Sequence, residues 1–336
     1  MLIMSNKFKA IVIDQKSEKF SREIKELDSS FLDQGDVLVK VDYSDLNYKD
    51  ALILNDGGKI VRDFPRIPGI DFSGKVLESN TDDFKKDDEV ILTGCRVGEI
   101  YHGGYSQLAK VKKEFLVKKP KNLSTKESMI IGTAGFTALL CAFAINAREE
   151  LLLGEKVNDV LVTGATGGVG TIAVMALSKL GYNVTAVTGK TENSELLKKL
   201  GAKNVVNRSE FEGEPKLLGK AIWDGVVDTV GGNILAHAIS QAKHSGIVAS
   251  CGNAGGIKLN TNVMPFILRG VKLWGIDSIQ VSMKRREFVW SQVERLVDFK
   301  VLEEIVKVIN MEELINTFPK MLKAQTSGRI VVDVNK

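Results

Sequence analysis

Two groups of residues in this sequence have the types and spacing for chemistry. The first is residues 160–170, V-L-V-T-G-A-T-G-G-V-G. A short apolar run predicts a buried strand, the glycines a tight turn, and the apolar spacing over 171–180 a helix. A strand, turn and helix in that order put bare backbone N–H groups and the positive end of a helix dipole at one point, which suits a phosphate or pyrophosphate. The second group is polar: Asn47, Tyr48 and Asp50 in L-N-Y-K-D, Asp71 in P-G-I-D-F-S-G, and the turn Gly103-Gly104-Tyr105. An amide, phenols and two carboxylates can bind a carbonyl, hold a proton and stabilise developing charge.

The glycine turn is read in the G-x-G-x-x-G frame with Ala165 at the first place and Gly167 and Gly170 at the second and third; Gly168 is extra. Gly167 is where the backbone must approach the pyrophosphate, flanked by Thr166 and Val169. A second strand is predicted at 184–187. An NAD site would end it with Asp or Glu to bind the ribose 2′-OH. Here Thr188-Gly189-Lys190 follows, and no acid comes before Glu192. A hydroxyl, a free N–H and a lysine are what a 2′-phosphate requires, and Arg208 after the third strand adds a guanidinium. The expected cofactor is therefore NADPH.

The elements that position these groups divide the chain. Short strands at 7–13, 37–43, 74–78, 89–93 and 106–112, separated by Gly, Pro and Asp turns, predict an antiparallel β-barrel or sandwich. Near Ser124, followed three residues later by Glu127, a capping box starts a helix, and the apolar pattern runs on through 132–147. β and α then alternate: strands at 160–163, 184–187, 205–206, 225–230 and 246–250, helices at 170–180, 192–200 and 233–242. This is a doubly wound parallel sheet. An edge strand at 271–276, helices at 284–299 and 312–324, and a closing strand at 330–334 complete the chain. The expected domains are a β-rich catalytic domain over 1–128, completed by 281–336, and a Rossmann domain over 129–280.

Composition bounds the rest. A chain of 336 residues with 44% hydrophobic and 26% charged residues is that of a globular protein of about two domains. The net charge of +4 is spread through the chain, with no basic block for nucleic acid. Cys95, Cys141 and Cys251 form neither a C-x-x-C pair nor a disulfide framework, so reduced thiols are expected. No signal peptide or membrane span is expected, which makes the location cytoplasmic. Met4 offers a second start.

The chain resembles the medium-chain dehydrogenase/reductase superfamily over essentially its whole length. Within it, the sequence is most similar to the YhdH/YhfP-type group, which includes acrylyl-CoA reductases and is also labelled quinone oxidoreductase. The resemblance rests on L-N-Y-K-D-A-L (46–52), F-P-R-I-P-G-I-D-F-S-G (64–74), I-I-G-T-A-G-F-T-A (130–138), V-T-G-A-T-G-G-V-G (162–170), D-T-V-G (228–231), V-M-P-F-I-L-R (263–269) and S-G-R (327–329). It implies an α/β fold with a GroES-like β-rich domain and a Rossmann domain, and a cofactor contact at Cys251-Gly252. It implies that Asn47, Tyr48, Asp50, Asp71 and Arg329 line the family's active-site cleft.

Zinc members of the superfamily bind metal through a Cys, a G-H-E segment and a later Cys or Asp. Here Asn47 stands at the first place, Gly69-Ile70-Asp71 replaces G-H-E, and Ala134 lies near the later ligand. His102, His237 and His244 do not group with them, so no metal site is expected.

Without a Lewis acid, conjugate reduction is favoured over carbonyl reduction. Hydride from nicotinamide C4 would go to the β carbon of an activated alkene, and donors would stabilise the enolate. Tyr48 is a candidate donor or cofactor contact, and Asn47 a candidate ligand of the substrate carbonyl or the nicotinamide ribose. Asp50 and Asp71 could orient these groups. Arg329 could pair with Asp50 or Asp71, or meet the substrate. The reading is an NADPH-dependent, zinc-independent reductase, with acrylyl-CoA to propionyl-CoA as the resemblance's substrate. The alternatives are an NADPH:quinone oxidoreductase and a non-catalytic NADPH-binding regulatory protein. The strand at 271–276 is expected to pair across a two-fold axis in a homodimer.

Overall fold

Alternating apolar residues and turn-forming breaks make the N-terminal third a set of short strands. The computed structural model describes residues 7–17, 19–32, 35–151 (side chains through 148) and 156–336, so Met4 lies outside the described residues. β1 (Lys7–Lys16) and β2 (Lys19–Asp28) form an antiparallel hairpin. β2 was not expected: its charged sequence K-F-S-R-E-I-K-E-L-D hides the alternation, and its pairing comes from β1, which buries Phe8, Ala10, Ile11, Val12 and Ile13. β3 (Val37–Asp45) leads into α1 (Tyr48–Asp56), a helix the polar motif L-N-Y-K-D did not announce. β4 (Asp71–Ser79), β5 (Glu89–Thr93), β6 (Leu108–Val111) and β7 (Val117–Lys118) follow.

α2 (Thr125–Leu151) starts at the expected capping box: Ser124 Oγ accepts from Glu127 N at 3.1 Å, and Ser124 N donates back to Glu127 Oε2 at 2.7 Å. Its stretch Thr125–Arg148 is long and apolar enough to cross a membrane, but it is largely buried in protein, as in a core helix. The helix breaks at Gly132, whose φ of 51° and ψ of −160° are non-helical.

The alternating region forms β8 (Asp159–Thr163), α3 (Gly168–Lys179), β9 (Asn183–Thr188), α4 (Ser194–Lys199), β10 (Ala202–Asn207), β11 (Trp223–Asp228), α5 (Gly232–Ser240), β12 (Ala242–Ser250), α6 (Met264–Arg269) and β13 (Lys272–Gly275). The six strands are parallel, in the order β10-β9-β8-β11-β12-β13. This is the doubly wound dinucleotide-binding order, with its switch point between β8 and β11. β13 is an edge strand, as expected, and all of it is exposed.

The predicted helix at 284–299 is instead α7 (Met283–Ser291) and two short turns, Val293–Leu296 and Phe299–Leu302, with Val297 extended. β14 (Val306–Ile309), α8 (Met311–Leu322) and β15 (Arg329–Asp333) close the chain. β15 pairs with β3, completing the sheet β14-β15-β3-β4-β5-β7, with β6 also on β3. Its core holds Val39, Val41, Leu46, Phe72, Leu92, Phe318 and Val332.

The chain divides into two units. The first runs to Thr133 and takes in Ile279–Ser291 and Ile305–Lys336; the second is Ala134–Ser278 with Gln292–Glu304. The division thus falls inside α2, beside its break. The segment Gln292–Glu304, expected with the catalytic domain, joins the nucleotide unit, where Asp298 N meets Met175 Sδ at 3.0 Å and Glu304 pairs with Lys199 at 2.8 Å.

Candidate functional site: a dinucleotide turn and a buried acid cluster

In the second unit, β8 ends at Thr163 and α3 begins at Gly168, so residues 164–167 form the turn at the carboxyl end of the sheet. Gly167 is exposed, and a Cβ there would meet only Gly164 O, at 3.3 Å, which leaves its other side open to a ligand. Gly170 is required for a different reason: a Cβ would fall on Gly164 O and on Ala165 Cα. The helix therefore lies directly against the turn, with the N–H groups of Gly168 and Val169 in its first turn. Across the switch point, Asp228 on β11 accepts from Thr163 Oγ1 at 2.7 Å and Gly231 N at 2.8 Å. Burial pushes the Asp228 carboxyl up, and these hydrogen bonds oppose the push.

The residues proposed for the 2′-phosphate come together at the end of β9. Thr166 and Thr188 share a hydroxyl–hydroxyl hydrogen bond of 3.0 Å, and Lys190 N donates to Thr188 Oγ1 at 3.0 Å. Arg208 lies over Gly189, where a Cβ would stand 2.7 Å from its Nε. Lys190 is half-buried, and desolvation lowers its ammonium below the usual lysine range. No carboxylate occupies the place of an NAD-binding acid. A threonine hydroxyl, a glycine N–H, a lysine and an arginine fit a 2′-phosphorylated ribose.

Cys251 and Gly252 follow β12 and line an open pocket of about 530 Å3 with Asn253, Gly275, Ile276 and Asp277. Gly252 is pressed on the carbonyl of Thr229, where no Cβ fits. This fixes the backbone at the carboxyl ends of β12 and β13, on the same side of the sheet as the glycine turn.

The polar residues of the first unit form a buried network. Asn47 is 9% exposed, Arg329 2%, and Asp45, Asp50 and Asp71 are fully buried. Asn47 caps α1 in a reciprocal box: its own N donates to Asp50 Oδ2 at 3.0 Å. The other oxygen of Asp50 accepts from Ile70 N at 2.9 Å, tying α1 to the G-I-D loop. Asp71 accepts from four donors: Asn47 Nδ2 (3.0 Å), Gly94 N (3.1 Å), and Thr133 N and Oγ1 (both 2.6 Å). Arg329 does not pair with Asp50 or Asp71, as the sequence had allowed. It pairs with Asp45 on β3, because β15 lies beside β3, and its Nε donates to Ile130 O at 2.7 Å. Asn47 Nδ2 also donates to Asp45 Oδ1 at 2.9 Å, and Tyr105 Oη to the Asp45 carbonyl at 2.9 Å.

Of these three buried carboxyl groups, Asp45 alone has the guanidinium as a direct partner. Burial pushes Asp45 well up, reinforced by Asp71 and opposed by Arg329. Burial and Asp71 raise Asp50 to about 7, against the pull of its backbone donors. Tyr105 is pushed well up by burial and by the nearby acids, so its hydroxyl stays a donor.

Asp45, Thr133 and Tyr105 were not among the predicted site residues, although Tyr105 was singled out in its turn. Tyr48, the first residue of α1, is 41% exposed and is the accessible member of the predicted set. His102 is occupied structurally: its Nδ1 accepts from Ile67 N at 3.1 Å and its ring stacks on Phe31 at 4.9 Å. Among the described residues no His, Cys, Asp or Glu side chains group as a metal site. The donors on Asp71 and the cation on Asp45 leave these carboxylates badly suited to zinc.

Comparison with known proteins agrees with this architecture. Residues 33–121 match the alcohol dehydrogenase GroES-like domain, and residues 168–296 match the zinc-binding dehydrogenase domain. The acrylyl-CoA reductase AcuI of Ruegeria pomeroyi is 44% identical over 331 residues, 98% of this chain and 99% of its own. YhfP of Bacillus subtilis, which carries a provisional quinone oxidoreductase name, is 42% identical over 98% of this chain and 99% of its own. Its crystal structure with NAD bound covers 98% of this chain and all of its own at a TM-score of 0.92. The YhdH oxidoreductase of Salmonella enterica, in complex with NADP, is 42% identical, with a TM-score of 0.93 over 97% of this chain and 99% of its own. With both domain matches and identities above 40% along nearly its whole length, the chain belongs to the YhdH/YhfP-type acrylyl-CoA reductase family of the medium-chain dehydrogenase/reductase superfamily.

Proposed function

We propose that this protein is an NADPH-dependent reductase of activated C=C bonds that converts acrylyl-CoA to propionyl-CoA. The observation that carries the cofactor is the cluster of Thr188, Gly189, Lys190 and Arg208 at the end of β9, with no acid among them. The substrate rests on the 44% identity to the Ruegeria acrylyl-CoA reductase. NADPH bound at the glycine turn supplies hydride. The chain's own residues do the rest: 166–170 hold the pyrophosphate, and Thr188, Lys190 and Arg208 hold the 2′-phosphate.

Tyr48 is the exposed member of the first unit's polar set, and we assign it the contact with substrate. Asp50, Asp71 and Arg329 act through other residues, because their polar atoms are committed to buried partners; we assign them as positioning residues for Asn47 and the start of α1. We also take the enzyme to work without zinc, since an amide, a saturated carboxylate and an alanine stand at the three ligand places. A cytoplasmic location is proposed on the free cysteines. A homodimer is proposed through β13, an exposed edge strand that carries Leu273 and Trp274.

Steady-state assays with acrylyl-CoA and with simple quinones test the activity. The expected result is NADPH oxidation with one propionyl-CoA formed per NADPH, and slower turnover on quinones. Quinone turnover without enoyl-CoA turnover would favour the second reading, which YhfP supports by its name. Sedimentation at micromolar concentration tests the dimer, and a monomer there would rule it out.

A further inference from the structure

Next to Tyr48, the first unit sets two cations on one buried acid. Glu99 is 6% exposed. Lys49, the residue after Tyr48 in α1, donates from Nζ to Glu99 Oε1 at 2.9 Å, and Arg96 Nε stands 3.9 Å from Glu99 Oε2. One carboxylate thus faces two cations and leaves one positive charge over. The Arg96 side chain is 60% exposed, and its two Nη groups have no hydrogen-bond partner among the described residues. A guanidinium turned by its Nε toward an acid, with its Nη pair open, presents the fork that grips a phosphate in two parallel bonds.

The backbone at Arg96 is strained. Gly94, Cys95 and Arg96 have φ of 73°, 50° and 62°, three left-handed residues in a row, two of them not glycine. The turn is nonetheless fixed. Gly94 N donates to Ile70 O at 2.9 Å and to Asp71 Oδ1 at 3.1 Å. Arg96 O accepts from the N–H groups of Glu99, Ile100 and Tyr101 at 3.2, 3.0 and 3.3 Å, and Gly98 is pressed on the backbone of Gly69. Glycine would adopt the Arg96 conformation without strain, so the arginine side chain is carried there against the backbone preference. Strain of this kind collects at ligand clamps.

We propose that Arg96 and Lys49 form the subsite for a phosphate group of the substrate's CoA moiety, with Glu99 holding both cations in place. The identity of the ligand as CoA rests on the acyl-CoA reading above. The pantetheine arm of an acyl-CoA separates its reacting alkene from its phosphates. The groups that bind the phosphate must therefore lie near Tyr48 without touching the alkene themselves. Lys49 meets that condition as the neighbour of Tyr48 whose ammonium is drawn off to Glu99, and Arg96 meets it on the other oxygen of the same acid. The charge left over favours an anion and gives nothing to a quinone, which makes the pair a determinant of substrate class.

The test compares KM for acrylyl-CoA, 3′-dephospho-acrylyl-CoA and acrylyl-pantetheine, the last without phosphates, in the full-length parent and in Arg96→Gly. Glycine suits the φ of 62°, so this variant should fold at least as stably as the parent in urea unfolding. The parent should show a KM for acrylyl-CoA about tenfold below that for acrylyl-pantetheine, and Arg96→Gly should lose most of that advantage. Arg96→Lys, which keeps the charge without the fork, should fall between them. A dephospho substrate that behaves like acrylyl-pantetheine supports the subsite and assigns it to the 3′-phosphate; one that behaves like acrylyl-CoA supports it and assigns it to the pyrophosphate. Equal KM values for acrylyl-CoA and acrylyl-pantetheine in the parent, or an undiminished advantage in Arg96→Gly, overturn the proposal. If neither thioester is turned over, the acyl-CoA reading fails instead, and titration of free CoA still decides the subsite: binding weakened in Arg96→Gly supports it, and equal binding in variant and parent overturns it.

Discussion

Arg329 pairs with Asp45 across the β15–β3 contact, while Asp71, whose place in the sequence motif invited that partnership, is filled by Asn47, Gly94 and Thr133. The arginine also donates to the carbonyl of Ile130, in the first part of α2. One side chain from the end of the chain therefore joins three segments: β3, the cap of α1 and the turn before Gly132.

Arg329→Met should cost about 3–5 kcal/mol of stability in urea unfolding at pH 7, because it leaves the buried Asp45 carboxyl without its cation. The loss should shrink on acidification. Without the guanidinium, Asp45 and Asp71 repel each other unopposed, and protons relieve that in the folded state. An unchanged urea midpoint at pH 7 would mean the pair contributes nothing.

Gly132→Ala should be more damaging than its size implies. The residue has φ of 51°, and a Cβ would fall on Asp45 Oδ2 and lie 2.8 Å from Arg329 Nη2 and 2.9 Å from Asp71 Oδ2. Nothing in that cluster can retreat, since each group is committed. We expect a loss of 3 kcal/mol or more, on the order of an overpacked core. Gly181→Ala is the control: φ is 91° but nothing lies within 4 Å, so only the backbone term of about 1 kcal/mol should appear. Equal losses in the two variants would remove the steric argument.

Much of this could not be read from the residues alone. The glycine turn was legible because strand, turn and helix are neighbours in sequence, and Thr188 to Lys190 lie one strand further on. Asp45 had no local signal: its partner is 284 positions away, and only the pairing of β15 with β3 brings them together. The same holds for Thr133, which meets Asp71 through the break in α2. α1 was overlooked because L-N-Y-K-D was read for its chemistry. Yet Asn47 followed three residues later by Asp50 has the spacing of a capping box. β2 and β14 were missed because half-buried, charge-bearing strands depend on their partners more than on their own pattern.

Asp50 should make the fold less stable as pH rises. Its folded carboxyl titrates at about 7, against an ordinary value of 3.8. Between these values the folded state holds a proton that the unfolded state has released, so the unfolded chain binds fewer protons and unfolding becomes easier with increasing pH. The whole displacement corresponds to about 4 kcal/mol at most. Stability should thus fall from pH 5 to pH 8, with the change complete just above 7. Asp50→Asn should flatten that slope while keeping one acceptor for the N–H of Ile70 or Asn47. A slope of the same size in Asp50→Asn would assign it to other groups.

Lys190→Ala tests the 2′-phosphate argument directly. The ammonium is partly desolvated, the backbone N–H of Lys190 is held by the hydroxyl of Thr188, and the Arg208 guanidinium covers Gly189. A charge-assisted contact to phosphate contributes about 1.5–3 kcal/mol, so NADPH binding should weaken by roughly 10- to 100-fold. NADH carries a 2′-hydroxyl and gives the ammonium nothing to neutralise, so its affinity should change by less than about threefold. Arg208→Ala should act in the same direction, and more weakly, because its side chain is exposed and free to leave the ribose. Isothermal titration with both nucleotides separates the cases. Parallel losses for NADPH and NADH would mean that Lys190 supports the loop rather than the phosphate, and the preference would then have to lie in the absence of an acid after β9.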